Sequence, residues 1–349
     1  MPVQDIDPKN PLDNLIKYSR PEISGNDILY VNKEYEPEVL RITEKQNRPK
    51  SILIYGLGNV GGTLLTGLRM LLDADRVSHI AVYDRKKELA ERYEMEINQL
   101  HPPFQKKQVP VVILDDISKI PAFDIIIFSA AAQIPPLTEK QANVRDIQFP
   151  GNSRILETLI YTLGRGSYHG SIIIVSDPVD ILCTYLQMKL KLLSCQITGM
   201  GLGVMAARAN YILEKRGFFD FYKKGQIFGP HNEGVIAVPC VESSSAEDAL
   251  SLSRCIETLN HQVRQKGYFP YIAPAISSVA YNLSRALEGH EALACIYIDS
   301  IYWGFRVRYE NGLWYPVLQY TNERFRELIR ERFDQFRERT FRVLGLKNS

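Results

Sequence analysis

A doubly wound, mainly parallel α/β sheet followed by a mixed α+β unit is the fold class that this 349-residue sequence predicts. Three observations carry it. Short β-branched runs recur from residue 51, and most are continuously apolar, as in strands buried on both faces of a parallel sheet. Segments with helical spacing separate them. Beyond about residue 200 this alternation gives way to helices mixed with strand pairs.

Residues 1–50 stand apart, rich in Pro, Asp, Asn, Glu and Lys, with one strand-like run at 27–32. They read as an N-terminal extension that packs on the surface or on a protein partner. Strands are then expected at 51–55, 79–83, 109–114, 124–128, 171–175 and 196–198. Helices are expected at 62–72, 87–100 and 153–163. Residues 51–199 thus form the first domain and 200–349 the second. The second holds helices at 204–216, 246–266 and 277–287, and strands at 295–299, 301–309 and 313–318. The last two strands flank Glu310-Asn311-Gly312, whose Asn-Gly pair signals a hairpin. A terminal helix over 322–344 carries Phe325, Leu328, Ile329, Phe333 and Phe336 along one stripe. Its many Arg and Glu residues read as a solvated face rather than a nucleic-acid surface.

Composition narrows the function classes. Hydrophobic residues make up 45% and charged residues 23%, ordinary values for a globular chain, and 42 basic residues against 40 acidic leave a net charge of +2. No global field therefore points to nucleic acid. No apolar run approaches the ~18 residues of a membrane span. The first residues, MPVQDIDPKNPLDN, lack the apolar core of a secretory signal. The five cysteines form no C-x-x-C pair and no metal-ligand spacing, so reduced buried thiols, a cytoplasmic location and no metal are expected.

The chemistry begins at ILIYGLGNVGGTLL, where Gly56, Gly58, Asn59, Val60 and Gly61 join the first strand to the first helix. Glycines there permit a tight turn and close approach of backbone to a pyrophosphate, and the helix start offers free N–H groups. Asp84 closes the second strand, where an acid holds ribose hydroxyls and repels a 2′-phosphate. A Rossmann-type domain binding NAD is expected. The cations Arg85, Lys86 and Lys87 follow directly and temper the preference over NADP.

From residue 51 to about 345 the chain resembles the lactate/malate dehydrogenase family. IIIFSAAAQ (125–133) resembles the strand and loop beneath the cofactor, and VSDPVDIL (175–182) the Asn-Pro-Val-Asp turn. ITGMGLGVMAARANYIL (197–213) is similar to the segment opening the substrate domain. IFGPHNEGVIAVP (227–239) is similar to the loop of the catalytic histidine, and KGY (266–268) to a late helix start. The resemblance implies hydride transfer between NAD and a small 2-hydroxy or 2-oxo acid, in a homodimer or homotetramer. It makes His231 the proton-transfer residue and Arg208 the anchor of a small-molecule carboxylate substrate. Arg145, placed by its Arg-x6-Asn spacing to Asn152, becomes the carbonyl-polarising arginine. Ala130 and Asn152 join the glycine turn and Asp84 in the cofactor set.

The departures matter as much. Met205 stands where the family has the aspartate that orients the histidine, a loss that costs as much as ~10⁴ in other histidine systems. Asp177 replaces an asparagine near the substrate, Phe269 a small residue, Asn232 a glycine and Ala131 another glycine. Residues 133–144 contain no arginine for a second carboxylate grip. Asp177 or Glu233 is then a candidate acid for His231, and Asp177 favours a substrate bearing an amine or imine. Two readings stay open: an NAD-dependent oxidoreductase with an altered active site, and an NAD-binding scaffold or regulatory partner without hydride chemistry. An NAD-dependent glycosidase is disfavoured, because neither Cys183 nor Cys195 is suitably flanked by histidine.

Overall fold

The computed structural model describes residues 48–104, 108–132, 146–231 and 233–346, together with Leu12 and Ile16–Lys17. The strand-like run at 27–32 lies outside these residues. From the N-terminal side come β1 (Ile16–Lys17), β2 (Lys50–Tyr55), helix α1 (Asn59–Leu71), β3 (Val77–Tyr83) and α2 (Lys87–Asn98). Then follow β4 (Val111–Ile113), β5 (Ile125–Phe128), α3 (Phe149–Gly164), β6 (Ser171–Ile174), α4 (Val179–Lys189) and β7 (Ile197–Gly199). Strands β2 to β7 pair in parallel in the spatial order β4-β3-β2-β5-β6-β7. This is the doubly wound arrangement, with the order reversing beside β2.

The continuous apolar runs are explained by burial on both faces. Ile52, Ile54, Ile80, Val82, Ile125 and Ile127 pack toward Leu64, Leu65 and Leu68 of α1 and Ala90 and Ile97 of α2. The alternate strand residues Leu53, Tyr55, Ile126, Phe128, Ile172 and Ile174 cluster instead with Leu156 and Leu159 of α3 and Leu182 and Leu186 of α4.

The remaining chain forms α5 (Leu202–Lys215), the short α6 (Phe221–Lys224), the hairpin strands β8 (Gln226–Phe228) and β9 (Ile236–Val238), and α7 (Ala246–Gln265). A π-helix over Pro274–Ala280 runs into α8 (Tyr281–Leu287). Then come β10 (Ala292–Ile298), β11 (Ile301–Glu310), β12 (Leu313–Pro316), β13 (Gln319–Tyr320) and α9 (Glu323–Leu344). The antiparallel meander β10-β11-β12 adds to the edge of β7, where Cys295 pairs with Gly199, so one nine-stranded sheet crosses the expected 199/200 boundary. Asn311 and Gly312 both have positive φ (50° and 86°), as a two-residue I′ turn demands. Of the extension, β1 pairs in parallel with β13, and Leu12 is buried in the core.

Candidate active site

The turn after β2 is shaped by contacts that only glycine allows. Gly56 has φ +103°, and a Cβ there would lie 2.5 Å from the backbone N and Cα of Ala130. A Cβ on Gly61 would lie 2.0 Å from the carbonyl oxygen of Gly56. Gly58, the N-cap of α1, differs: its Cβ would meet open space, so packing within the chain does not require glycine there. Ser129 Oγ donates to the Gly56 carbonyl at 2.8 Å and fastens the turn to the end of β5. The Asp84 carboxylate accepts the N–H of Leu57 at 2.8 Å and of Lys86 at 2.9 Å, tying the ends of β2 and β3 together.

A groove of about 1110 Å³ starts at Tyr83, Asp84, Arg85 and Lys86 and passes Gly56, Gly58, Asn59, Val60 and Ala130. It continues over Ser176 and Asp177 to Met205, His231, Glu257, Asn260, Arg264 and Phe269. It therefore lies beyond the carboxyl ends of the parallel strands, at the reversal of strand order. Asn152 is fully buried beneath this wall. It accepts from Ala132 N–H at 2.8 Å and donates to the Asp177 carbonyl at 2.6 Å, joining the loops after β5 and β6.

His231 sits between β8 and β9, and its ring is held from several sides. Its backbone N–H donates to Asp180 Oδ2 at 3.0 Å, and its Nδ1 lies 2.7 Å from the Gly201 carbonyl oxygen. Its Nε2 lies 3.9 Å from Asp177 Oδ1. Asp180, at the start of α4, is buried, and that burial pushes its carboxyl up from 3.8 to about 6. Glu257 on α7 accepts the Gly234 N–H at 2.8 Å, and burial raises its carboxyl as well.

Of the two candidate acids, Asp177 is thus the one beside Nε2. Glu233 lies 4.0 Å from Arg339 of α9, whose guanidinium grips Asp146 through two 2.9 Å bonds. Met205 is buried with its Sδ 3.4 Å from Arg208 Nη1. The Arg208 guanidinium also donates to the Ile256 carbonyl at 3.4 Å and to Asn260 Oδ1, so Asn260 stands between it and the groove. Phe269 lines the groove beneath the guanidinium of Arg264, 5.6 Å from its ring centre. Arg145 lies outside the described residues.

Asp180, Gly201, Asn260, Glu257 and Ser278 were not singled out by spacing. Only Asp180 had a sequence signal, as the last residue of the Asp-Pro-Val-Asp turn. Among the described residues no group of three His, Cys, Asp or Glu side chains could hold a metal ion, and no helix is long and apolar enough to cross a membrane.

No protein-family model matches the chain. Among curated proteins it is 26% identical over 199 residues to the malate dehydrogenase of Aliarcobacter butzleri, covering 57% of this chain and 60% of that one. The match to the malate dehydrogenase of Cytophaga hutchinsonii is 23% over 189 residues, covering 54% and 58%. The chain thus spans about 60% of the length of these relatives. Among solved structures, malate dehydrogenase from Plasmodium falciparum superposes with a TM-score of 0.70 at 16% identity, over 85% of this chain and 99% of that one. A Cryptosporidium parvum lactate dehydrogenase complexed with lactic acid and nicotinamide adenine dinucleotide gives 0.70 at 16%, over 86% and 99%. A Rossmann-type parallel sheet continued into a mixed α+β unit is thus the fold that this chain shares with solved lactate and malate dehydrogenases.

Proposed function

We propose that the protein is an NAD-dependent oxidoreductase that transfers a hydride between nicotinamide and a small 2-hydroxy or 2-oxo acid, or a related amine or imine. The observation that carries this is the continuity of one groove from the Gly56–Gly61 turn and Asp84 to the His231–Asp177 pair. The residues present fit a dinucleotide. Gly58 leaves open space at the start of α1, where unpaired backbone N–H groups favour phosphate. Asp84 lines the same groove, and in this reading it holds the ribose hydroxyls, its charge favouring NAD over a 2′-phosphorylated form, although Arg85 and Lys86 also line that end. When bound, the cofactor supplies the hydride acceptor or donor.

In this reading His231 takes a proton from the substrate hydroxyl during oxidation and returns it during reduction. The Asp177 carboxylate favours the protonated ring by charge. Arg208 anchors a substrate carboxylate once Asn260 yields its place, and Arg145 polarises the carbonyl. A homodimer or homotetramer, a cytoplasmic location and a protein partner for residues 1–50 belong to the same proposal, and size-exclusion measurements on full-length and truncated chains test the assembly.

A second reading, a cofactor-binding scaffold without hydride transfer, draws on Arg208 being bonded to Met205, Ile256 and Asn260 and on Phe269 in the groove. Enhancement of NADH fluorescence on binding, with NADPH in parallel, tests the shared premise. Binding of NADH in the micromolar range with weaker NADPH is expected, and no binding at millimolar concentration rejects both readings. A screen of 2-oxo and 2-imino acids then separates them, since a scaffold turns over none. Asp177→Asn is expected to weaken turnover of an amine-bearing substrate more than that of a neutral 2-oxo acid; the opposite order rejects the amine branch.

A further inference from the structure

In a chain with Met205 in place of an orienting aspartate, something else must determine which nitrogen of His231 carries the proton. A carbonyl oxygen only accepts, so the 2.7 Å contact between Nδ1 and the Gly201 oxygen places a hydrogen on Nδ1. The same oxygen receives a second bond from Ser278 Oγ at 3.0 Å. Ser278 Oγ in turn accepts the Val204 N–H at 2.9 Å, which directs its own hydrogen to Gly201. The result is a short network, Val204 N–H to Ser278 Oγ–H to Gly201 oxygen, met from the other side by His231 Nδ1–H. Val204, Ser278 and His231 are all buried, so these bonds act in a low dielectric and little water competes for them.

We infer that the Gly201 carbonyl locks His231 in the Nδ1–H tautomer and that Ser278 is the positioning residue that holds this carbonyl in place. The inference rests on the proposed role of His231 in proton transfer. The backbone is built for it. Gly201 is the N-cap of α5 and makes no side-chain cap; Ser278, from the π-helix, supplies one to the third helical residue instead. A Cβ on Gly203 would come within 2.4 Å of the Ser277 carbonyl oxygen and 2.8 Å of Ser278 Cα, so the two backbones touch. A Cβ on Gly201 would meet the His231 ring at 2.4 Å, so the imidazole lies against the peptide that it bonds.

This arrangement divides a task that one aspartate otherwise performs. Orientation comes from a neutral carbonyl behind the ring, and negative charge comes from Asp177 on the Nε2 side. Nε2 gains the substrate proton in oxidation and loses it in reduction, while Nδ1–H stays on Gly201 in both states. The ring need not flip during turnover.

The test is nitrogen NMR of the full chain labelled with ¹⁵N-histidine, with His231→Gln identifying the His231 signals among six histidines. In the neutral ring a protonated Nδ1 and an unprotonated Nε2 are expected; the reverse tautomer overturns the inference. Ser278→Ala is expected to add a second set of His231 signals from the Nε2–H form, and Ser278→Thr to restore a single set. With a substrate found, Ser278→Ala should lower kcat by at least about tenfold, up to the ~10⁴-fold loss of a wrong tautomer. Affinity for NADH should be unchanged and threonine should restore the rate. An unaltered spectrum in Ser278→Ala, or a kcat within twofold of the parent, rejects Ser278 as a positioning residue. Failure to find any substrate would count against the proposed function, whereas the wild-type tautomer is read without one.

Discussion

Asp180 accepts the backbone N–H of His231 from a buried position, and burial holds its carboxyl near 6 rather than 3.8. Between those two values the folded chain retains a proton that the unfolded chain has released. Stability therefore falls as pH rises through this window; the contribution is fully present below it and lost above it, by about 3 kcal/mol. Asp180→Asn keeps an oxygen for His231 and removes the titration, so urea unfolding from pH 4 to 6 should be flatter in the variant by that amount. Equal slopes would show that Asp180 does not titrate in this range. At this scale the glycine turn was legible from residue type at a local spacing, whereas His231 and Asp177 were indicated only by resemblance. Arg208 was indicated by resemblance as well, but not its partners: Asn260 and Ile256 come from α7, and no local pattern in the chain forecasts that contact.

Helices with a strong apolar stripe were readable nearly to their ends. The terminal helix expected at 322–344 is α9, with Asn322 as its N-cap accepting from Arg324 N–H and Gly345 in the left-handed conformation closing it. Phe325, Ile329, Phe333 and Phe336 are buried, with Leu328 half-buried at the margin, and Phe333 and Phe336 pack on the Trp303 ring. Its polar face holds ion pairs such as Arg337–Asp334 and Arg339–Asp146, in keeping with a solvated and bridging surface. Phe333→Ala should cost about 3–5 kcal/mol in equilibrium unfolding, because a buried aromatic leaves a cavity that a helix lying on a sheet fills poorly. A loss below 1 kcal/mol would mean that α9 contributes little to the core. The helix expected at 277–287 is instead a π-helix followed by α8. A π turn changes the hydrogen-bond step without changing which residues are apolar, so periodicity does not reveal it. The short strand β9 was missed for a related reason: its three residues carry too little pattern to separate from loop.

For the molecule as a whole, binding at the groove couples to folding. NADH at a hundred times its Kd should raise unfolding free energy by about 2.7 kcal/mol, visible as an upward shift in Tm that NADPH matches only at higher concentration. No shift would oppose the proposed cofactor independently of any assay for turnover. The parallel order of β2 to β7 follows from features the sequence carries alone: apolar runs of strand length, helices between them, and the handedness of their crossovers. The composition, the hairpin at Asn311-Gly312 and the glycine turn belong to the same local class. What tertiary structure decided is how distant segments meet. It extended the sheet through β10, β11 and β12 onto β7, paired β1 with β13, and set Asp177 beside His231 Nε2. It also brought a backbone carbonyl and Ser278 to the His231 ring. The division has a physical cause: local geometry is determined by the residues that adopt it, but an amide carbonyl is present at every position and acquires a role only from what the fold brings against it.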